Sequence, residues 1–229
     1  MSLTESRIKE LYQFTRAHFV EHYDVQTELV DHLANDIEAI WENQPSLSFE
    51  QARDQSFKKF GVFGFMGVVE EKQKQISKKY WRLVWSVFKG FFKLPQIIVT
   101  ATICMGIYTL LQLVNQEWVF VVIGFGGASL MIFRALQIKK HMKVRFEKTQ
   151  KKWMLEEHIY GFGNFVGLFN LLIQFVFIMD PVSSNFLIFL IAIFLTIFSL
   201  TIYITAFILP SNMETFLEKE YPEYKSVTI

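Results

Sequence analysis

Two kinds of hydrophobic pattern divide this chain near residue 78. Before that point, apolar residues recur at helical spacing between charged ones, the mark of helices that bury a single face. Ile8, Leu11, Tyr12, Phe14 and Phe19 form the first such series. Leu29, Leu33, Ile37, Ile40 and Trp41 form the second, opposite a polar face of Glu28, Asp31, Asn35, Glu38 and Glu42. Asp24 is placed to cap that second helix, because a carboxylate accepts from the free N–H groups of a first turn. Asn43 to Leu47 is a loop marked by proline. Ser48 and Gln51 stand at capping-box spacing and predict a third helix, with Phe49, Ala52, Phe57 and Phe60 turned inward. Gly61 suits a left-handed helix end. A fourth helix starts near Gly64, with Phe65, Met66, Val69 and Ile76 on its apolar face. No stretch alternates with the period of a strand. Residues 1–77 are therefore expected to form a small helical domain.

Residues 78–94 carry a different pattern. Lys78, Lys79, Arg82, Ser86, Lys89, Gly90 and Lys93 share one helical stripe, and Tyr80, Trp81, Trp85, Phe88, Phe91 and Phe92 cover much of the rest. A basic stripe beside a wide aromatic face suits a helix lying in the lipid headgroup layer, where Trp and Lys are favoured and anionic lipids are attracted. Pro95 marks the break that follows.

From residue 95 to 210 the apolar residues come in long runs. Four are expected to span a bilayer: 97–114, 118–136, 161–179 and 185–209. A span needs about 20 residues to cross a hydrocarbon core of about 30 Å. None of the four contains Asp, Glu, Lys or His; Arg134, at the end of the second, can snorkel to the interface. The connections at 115–117 and 180–184 hold no Lys or Arg. The loop 137–160 holds Lys139, Lys140, Lys143, Arg145, Lys148, Lys151 and Lys152, and the tail 211–229 holds Lys219 and Lys225. Short positive loops stay in the cytoplasm, so both ends of the chain are expected there. The loop 137–160 is itself helical in character. Gly124 with Ala128, and Gly163 with Gly167, have the small-residue spacing that lets helix backbones approach, within one bundle or between copies. The predicted fold is all-α: a small cytoplasmic helical domain, an interfacial amphipathic helix, then four transmembrane helices as two hairpins.

Composition narrows the function classes. Of 229 residues 52% are hydrophobic and 25 are Phe, which agrees with a membrane half. Basic and acidic residues balance at 23 and 22, which speaks against a nucleic-acid binder. The single cysteine, Cys104, lies inside an apolar run and allows no intramolecular disulfide. The polar start of the chain lacks the apolar core of a signal peptide.

Candidate chemistry is sparse. His18 and His22 are spaced one helical turn apart, as are His32 and Asp36, a spacing used by metal sites. Asp24 interrupts that series, and no metal or other cofactor is expected. Neither a nucleophile elbow nor a phosphate-binding loop is present, so an enzyme is not expected. The spans offer only mild polar groups such as Gln112, Asn164, Asn170 and Gln174, which suit hydrogen bonds between helices better than ion coupling.

Residues 23–71 resemble a known domain type, the small alpha-helical signalling domain called HAAS, found with PadR-type regulators and at the front of bacterial membrane proteins. The resemblance lies in an acidic helix (Glu28 to Asn43), a Ser-started helix (Ser48, Phe49, Glu50, Gln51, Ala52) and a closing Phe60–Gly61; Val62 and Phe63 stand where the family has proline. The Phe-, Lys- and Ile-rich composition also resembles that of Bacteroidota proteins. The resemblance implies an interaction module and carries no catalytic residues. The expected function is a bacterial inner-membrane regulatory or scaffold protein that binds a cytoplasmic protein through Glu28, Asp31 and Glu38. Anionic lipid would be met by Lys78, Lys79, Trp81, Arg82, Trp85, Lys89 and Lys93, and a homo-oligomer is one arrangement of the spans. The alternatives are an accessory subunit or small channel, and after that an intramembrane enzyme using Cys104.

Overall fold

The computed structural model describes residues 3–161, 174, 183–221 and 224. The described residues are helical, with no strand among them. In chain order the helices are α1 (Glu5–Ala17), α2 (Tyr23–Asn43), α3 (Phe49–Lys58), α4 (Met66–Gly90), α5 (Gln96–Leu113), α6 (Gln116–Thr149), α7 (Met154–Tyr160), α8 (Asn185–Ser211) and α9 (Met213–Glu220). The expected span at 161–179 lies outside the described residues apart from Gly161 and Gln174.

The chain forms two compact units. One comprises Met1–Lys78 together with Gln150–Glu157; the other comprises Lys79–Thr149 and His158–Ile229. In the first, α2 packs against both α1 and α3. Its predicted stripe of Leu29, Leu33, Ile37, Ile40 and Trp41 is buried, as is Leu11 of α1. The capping box forms as its spacing predicts: Gln51 N–H donates to Ser48 Oγ at 3.3 Å, and Ser48 N–H donates to Gln51 Oε1 at 3.1 Å. Gly61 takes φ +77° and turns the chain out of α3. Two apolar residues depart from expectation. Phe19 follows the end of α1 with φ +65° and is exposed, and Met66 is exposed as well. Helical spacing places a residue on a face only while the helix lasts, and α1 ends at Ala17.

Residues 66–90 form one continuous helix, so the domain helix and the basic aromatic stretch share a single rod of 25 residues. Thr100 Oγ1 then donates to the Phe91 carbonyl at 3.0 Å and fastens the turn before α5.

Among the described residues three helices are long and apolar enough to cross a membrane: Gln96–Leu113, Gln116–Thr149 and Asn185–Ser211. Asn115 starts the second by accepting the Glu117 N–H at 3.0 Å, the bond of an asparagine N-cap. The three pack through Ile107, Leu111, Met131, Ile191 and Leu195, while Val99, Val122, Phe125, Phe133 and Leu190 face outward. An outward apolar surface of that extent is characteristic of a membrane-facing or protein-covered surface. Hydroxyls in these helices bond to their own backbone, as Thr196 does to Ala192 and Thr205 to Thr201. Gln112 reaches from α5 to Asn185 Oδ1 of α8 at 3.3 Å, a polar link between helices.

Near its end α8 contains a π turn, Ile204–Ile208, followed by Pro210. An α-helical bond to the Ala206 carbonyl would need the N–H of residue 210, which proline lacks. Arg134 Nε of α6 donates to that carbonyl at 3.2 Å, with the guanidinium 4.8 Å over the Phe207 ring. Arg134 thus lends a donor to a neighbouring helix.

Candidate functional site

The most elaborate polar site of the N-terminal unit forms where residues 150–157 meet the start of α2. After α6 ends, Gln150 adopts a left-handed backbone, φ +53°, which redirects the chain. Tyr23 N–H donates to the Lys152 carbonyl at 2.7 Å, and Met154 N–H donates to Asp24 Oδ1 at 3.1 Å. Met154 opens α7, so the carboxylate satisfies one of the amides that a helix start leaves without an intrahelical partner. Asp24, expected to cap its own helix, instead sits buried in the first turn of α2, which has no side-chain cap bond, and caps α7.

Apolar and charged groups frame that bond. Trp153, Met154 and Leu155 are buried. The Trp153 ring stands edge-on to Tyr23 at 5.4 Å, and Tyr23 stacks on Tyr12 at 5.9 Å. Lys151 Nζ lies 3.8 Å over the Tyr23 ring, a cation–π contact. Lys152 Nζ meets Glu21 Oε2 at 2.7 Å, and His22 Nε2 donates to Glu157 Oε2 at 2.8 Å. The His22 hydrogen bond, and then its charge, hold the Glu157 carboxyl below its ordinary value; Lys152 does the same for Glu21. Both carboxylates face solvent, where screening leaves an ion pair little net stabilisation. The buried Asp24 bond and the Trp153 packing therefore dominate the attachment. This site was not legible as such: its halves are 130 residues apart. The one local hint was Trp153, Met154 and Leu155 inside an otherwise charged loop.

The acidic residues expected to meet a partner have separate fates. Asp31 is exposed. Glu28 is ion-paired with Lys72 of α4, and Glu38 Oε1 accepts the Leu3 N–H at 3.0 Å. Asp36 binds Ser56 Oγ and Lys59 Nζ, both at 3.1 Å. The histidines do not converge. His18 Nδ1 donates to the Phe14 carbonyl at 2.8 Å and its ring packs on Phe57, His22 holds Glu157, and His32 is exposed. Among the described residues no three His, Cys, Asp or Glu side chains are placed to hold a metal ion.

A cleft of about 320 Å³ opens beside the start of α3, floored by Trp41, Leu47 and Phe49. The Arg7 guanidinium lies 5.1 Å over Trp41 and 5.5 Å over Phe49. Sequence reading missed Arg7, because it lies on α1 and the rings lie on other helices. On α4 the interface residues Lys78, Trp81, Arg82, Trp85 and Lys89 are exposed and Lys79 is half-buried; Lys93 is exposed in the turn that follows. Lys89 Nζ lies 5.7 Å over Trp85. Tyr80, Val84 and Phe88 are buried on the other side, so basic and tryptophan side chains share the outward face. Tyr80 stands edge-on to His158 at 5.3 Å, and burial pushes the phenol up and the imidazole down from their ordinary values.

Gly124 and Ala128 are half-buried on α6, and Cys104 is half-buried on α5 against the packed core of the long helices. Gly163 and Gly167 lie outside the described residues. Set against known proteins, the chain matches no family model, no curated protein and no solved structure, so these sites stand on their own geometry.

Proposed function

We propose that this chain is a regulatory or scaffold protein of the bacterial inner membrane whose N-terminal helical unit binds a protein partner in the cytoplasm. The observation that supports this reading is the docking of residues 150–157 into the unit formed by residues 1–78. A passive anchor needs one covalent connection. This unit is assembled from two stretches of chain, separated by two helices long and apolar enough to span. A change in those helices acts on the contacts that complete the unit, which is the requirement for a two-state element biased from the membrane.

The finer topology belongs to the same proposal. Four spans form two hairpins, the third at 161–179, with both ends of the chain in the cytoplasm beside the basic segments. The outward face of residues 78–93 meets anionic headgroups. The likeness of residues 23–71 to HAAS domains fits an interaction module without chemistry of its own. Partner contact falls to Asp31 and to the cleft under Arg7, since Glu28 and Glu38 already have internal partners.

The test is capture of the full-length chain from crosslinked native membranes, with co-purifying proteins identified by mass spectrometry. The expected result is a partner that is lost with Asp31→Lys or Arg7→Glu and weakened with Asp24→Ala. Capture indifferent to all three would move the function into the long helices.

A further inference from the structure

We infer that the N-terminal unit carries a second lipid-contacting element of its own, a tip formed by the turns after α1 and after α3. The inference rests on the membrane reading above and adds a site that the spans and the basic aromatic helix do not include.

The two turns meet over a shared aromatic floor. The His18 ring lies 4.5 Å from Phe57 and 5.8 Å from Phe65, and Phe57 lies 4.8 Å from Phe65. Above that floor, Phe19 is 83% exposed, Val62 99% and Phe63 81%, with Met66 half exposed beside them. Turns are ordinarily polar. Here Val62 and Phe63 occupy the tip, and the backbone is shaped to present them. Gly61 and Gly64 both take positive φ, and a Cβ on Gly64 would come within 2.9 Å of Phe57 Cζ. Phe19 also takes a left-handed backbone, an uncommon state for an aromatic residue.

The charges around the tip select the occupant. Arg16 and Lys58 are exposed in the last turns of α1 and α3, and neither has an ion pair among the described residues. Lys59 follows Lys58 and pairs with Asp36. The neighbouring acids are engaged: Glu21 with Lys152, Glu70 with Lys74, and Glu71 with the Gln75 amide. Projecting aliphatic and aromatic side chains inside a basic rim fit the headgroup layer of an anionic bilayer, where apolar groups enter the acyl boundary and cations meet phosphate. The covalent link to the spans raises the effective concentration of the tip at the bilayer, so shallow insertion needs little intrinsic affinity.

Depth-dependent quenching tests this in the full-length chain. With Cys104→Ala as background, a bimane dye is attached at Val62→Cys, at Glu42→Cys near the far end of α2, or at Met105→Cys on α5. Each variant is reconstituted in vesicles of phosphatidylcholine with phosphatidylglycerol containing nitroxide lipid. The expected result is loss of fluorescence at 62 and 105 but not at 42. Loss at 62 should diminish in vesicles of phosphatidylcholine alone, in high salt, and with Arg16→Glu and Lys58→Glu combined. Quenching at 105 with none at 62 overturns the tip while leaving the spans in place; no quenching at 105 overturns both. Equal quenching at 42 and 62 overturns the tip as the specific contact. Disulfide-linked dimers formed by the unlabelled Val62→Cys chain under an added thiol oxidant, with no lipid quenching of the labelled chain, overturn it in favour of a second copy.

Discussion

Asp24→Ala should release residues 150–157 from the start of α2. The variant removes the acceptor of the Met154 N–H, which is buried and charge-assisted. Loss of such a bond costs about 1.5–3 kcal/mol. Asp24→Asn keeps an acceptor without the charge and should lose roughly half as much. A change of about 2 kcal/mol raises the open population of the segment about 30-fold. Lys151 and Lys152 make that opening readable, because in the docked segment they are held by Tyr23 and Glu21, and trypsin should cleave after them faster once the segment detaches. In the regime where opening is fast relative to cleavage, the cleavage rate should rise by the same factor in Asp24→Ala and by several-fold in Asp24→Asn. Hydrogen exchange across α3 serves as the internal control and should not change. Equal cleavage of wild type and Asp24→Ala would show that the bond does not hold the segment. Faster exchange in α3 as well would show that the unit unfolds as a whole, which refutes local release.

Three further outcomes follow from the same structure. The carboxyl of Glu21 is held below its ordinary value of 4.5 by the Lys152 hydrogen bond and charge, so that pair is at full strength above that pH and is lost as the pH falls through the lowered value. Hydrogen exchange of residues 150–157, corrected for its intrinsic pH dependence, should therefore gain a small acceleration in acid below about pH 4.5, small because the pair faces solvent. Gly64→Ala should destabilise the N-terminal unit by about 1–3 kcal/mol, because it forces a Cβ onto Phe57 at a left-handed position; thermal denaturation of the full-length chain should show the drop. Arg134→Ala should cost about 1–3 kcal/mol by removing the guanidinium donor to the Ala206 carbonyl. Pro210→Ala, which restores a backbone N–H, should recover most of that loss in a double-mutant cycle of stability in detergent.

Legibility in the sequence followed range. The α2 stripe, the capping box at Ser48 and the turn at Gly61 depend on residues a few positions apart, and each was readable as written. Three of the four long apolar runs were readable too, because span length and composition are local properties. Asp24 was assigned to the wrong helix because its partner amide belongs to Met154, and periodicity carries no information across such a separation. The acidic face of α2 looked free for the same reason: Lys72 and the Leu3 N–H, which occupy Glu28 and Glu38, lie in other elements. Phe19 counted as a core residue because the pattern did not mark where α1 stops. The link from Arg134 to Ala206 was hidden in a proline. Pro210 announced a missing N–H, while the donor that replaces it lies on a different helix.

That the N-terminal unit is completed by residues 150–157 also sets an order of synthesis. When the ribosome has made residue 78, the unit lacks Trp153, Leu155 and the helix start that Asp24 caps. The missing piece emerges only after α5 and α6 have been translated, a delay of several seconds at ordinary elongation rates of roughly 5–20 residues per second. During that interval Asp24 and the Tyr23 N–H lack the partners they have in the finished unit. Nascent chains that fail to deliver residues 150–157 carry an unfinished unit, so completion of the N-terminal unit reports on synthesis of the two long apolar helices that precede its last piece.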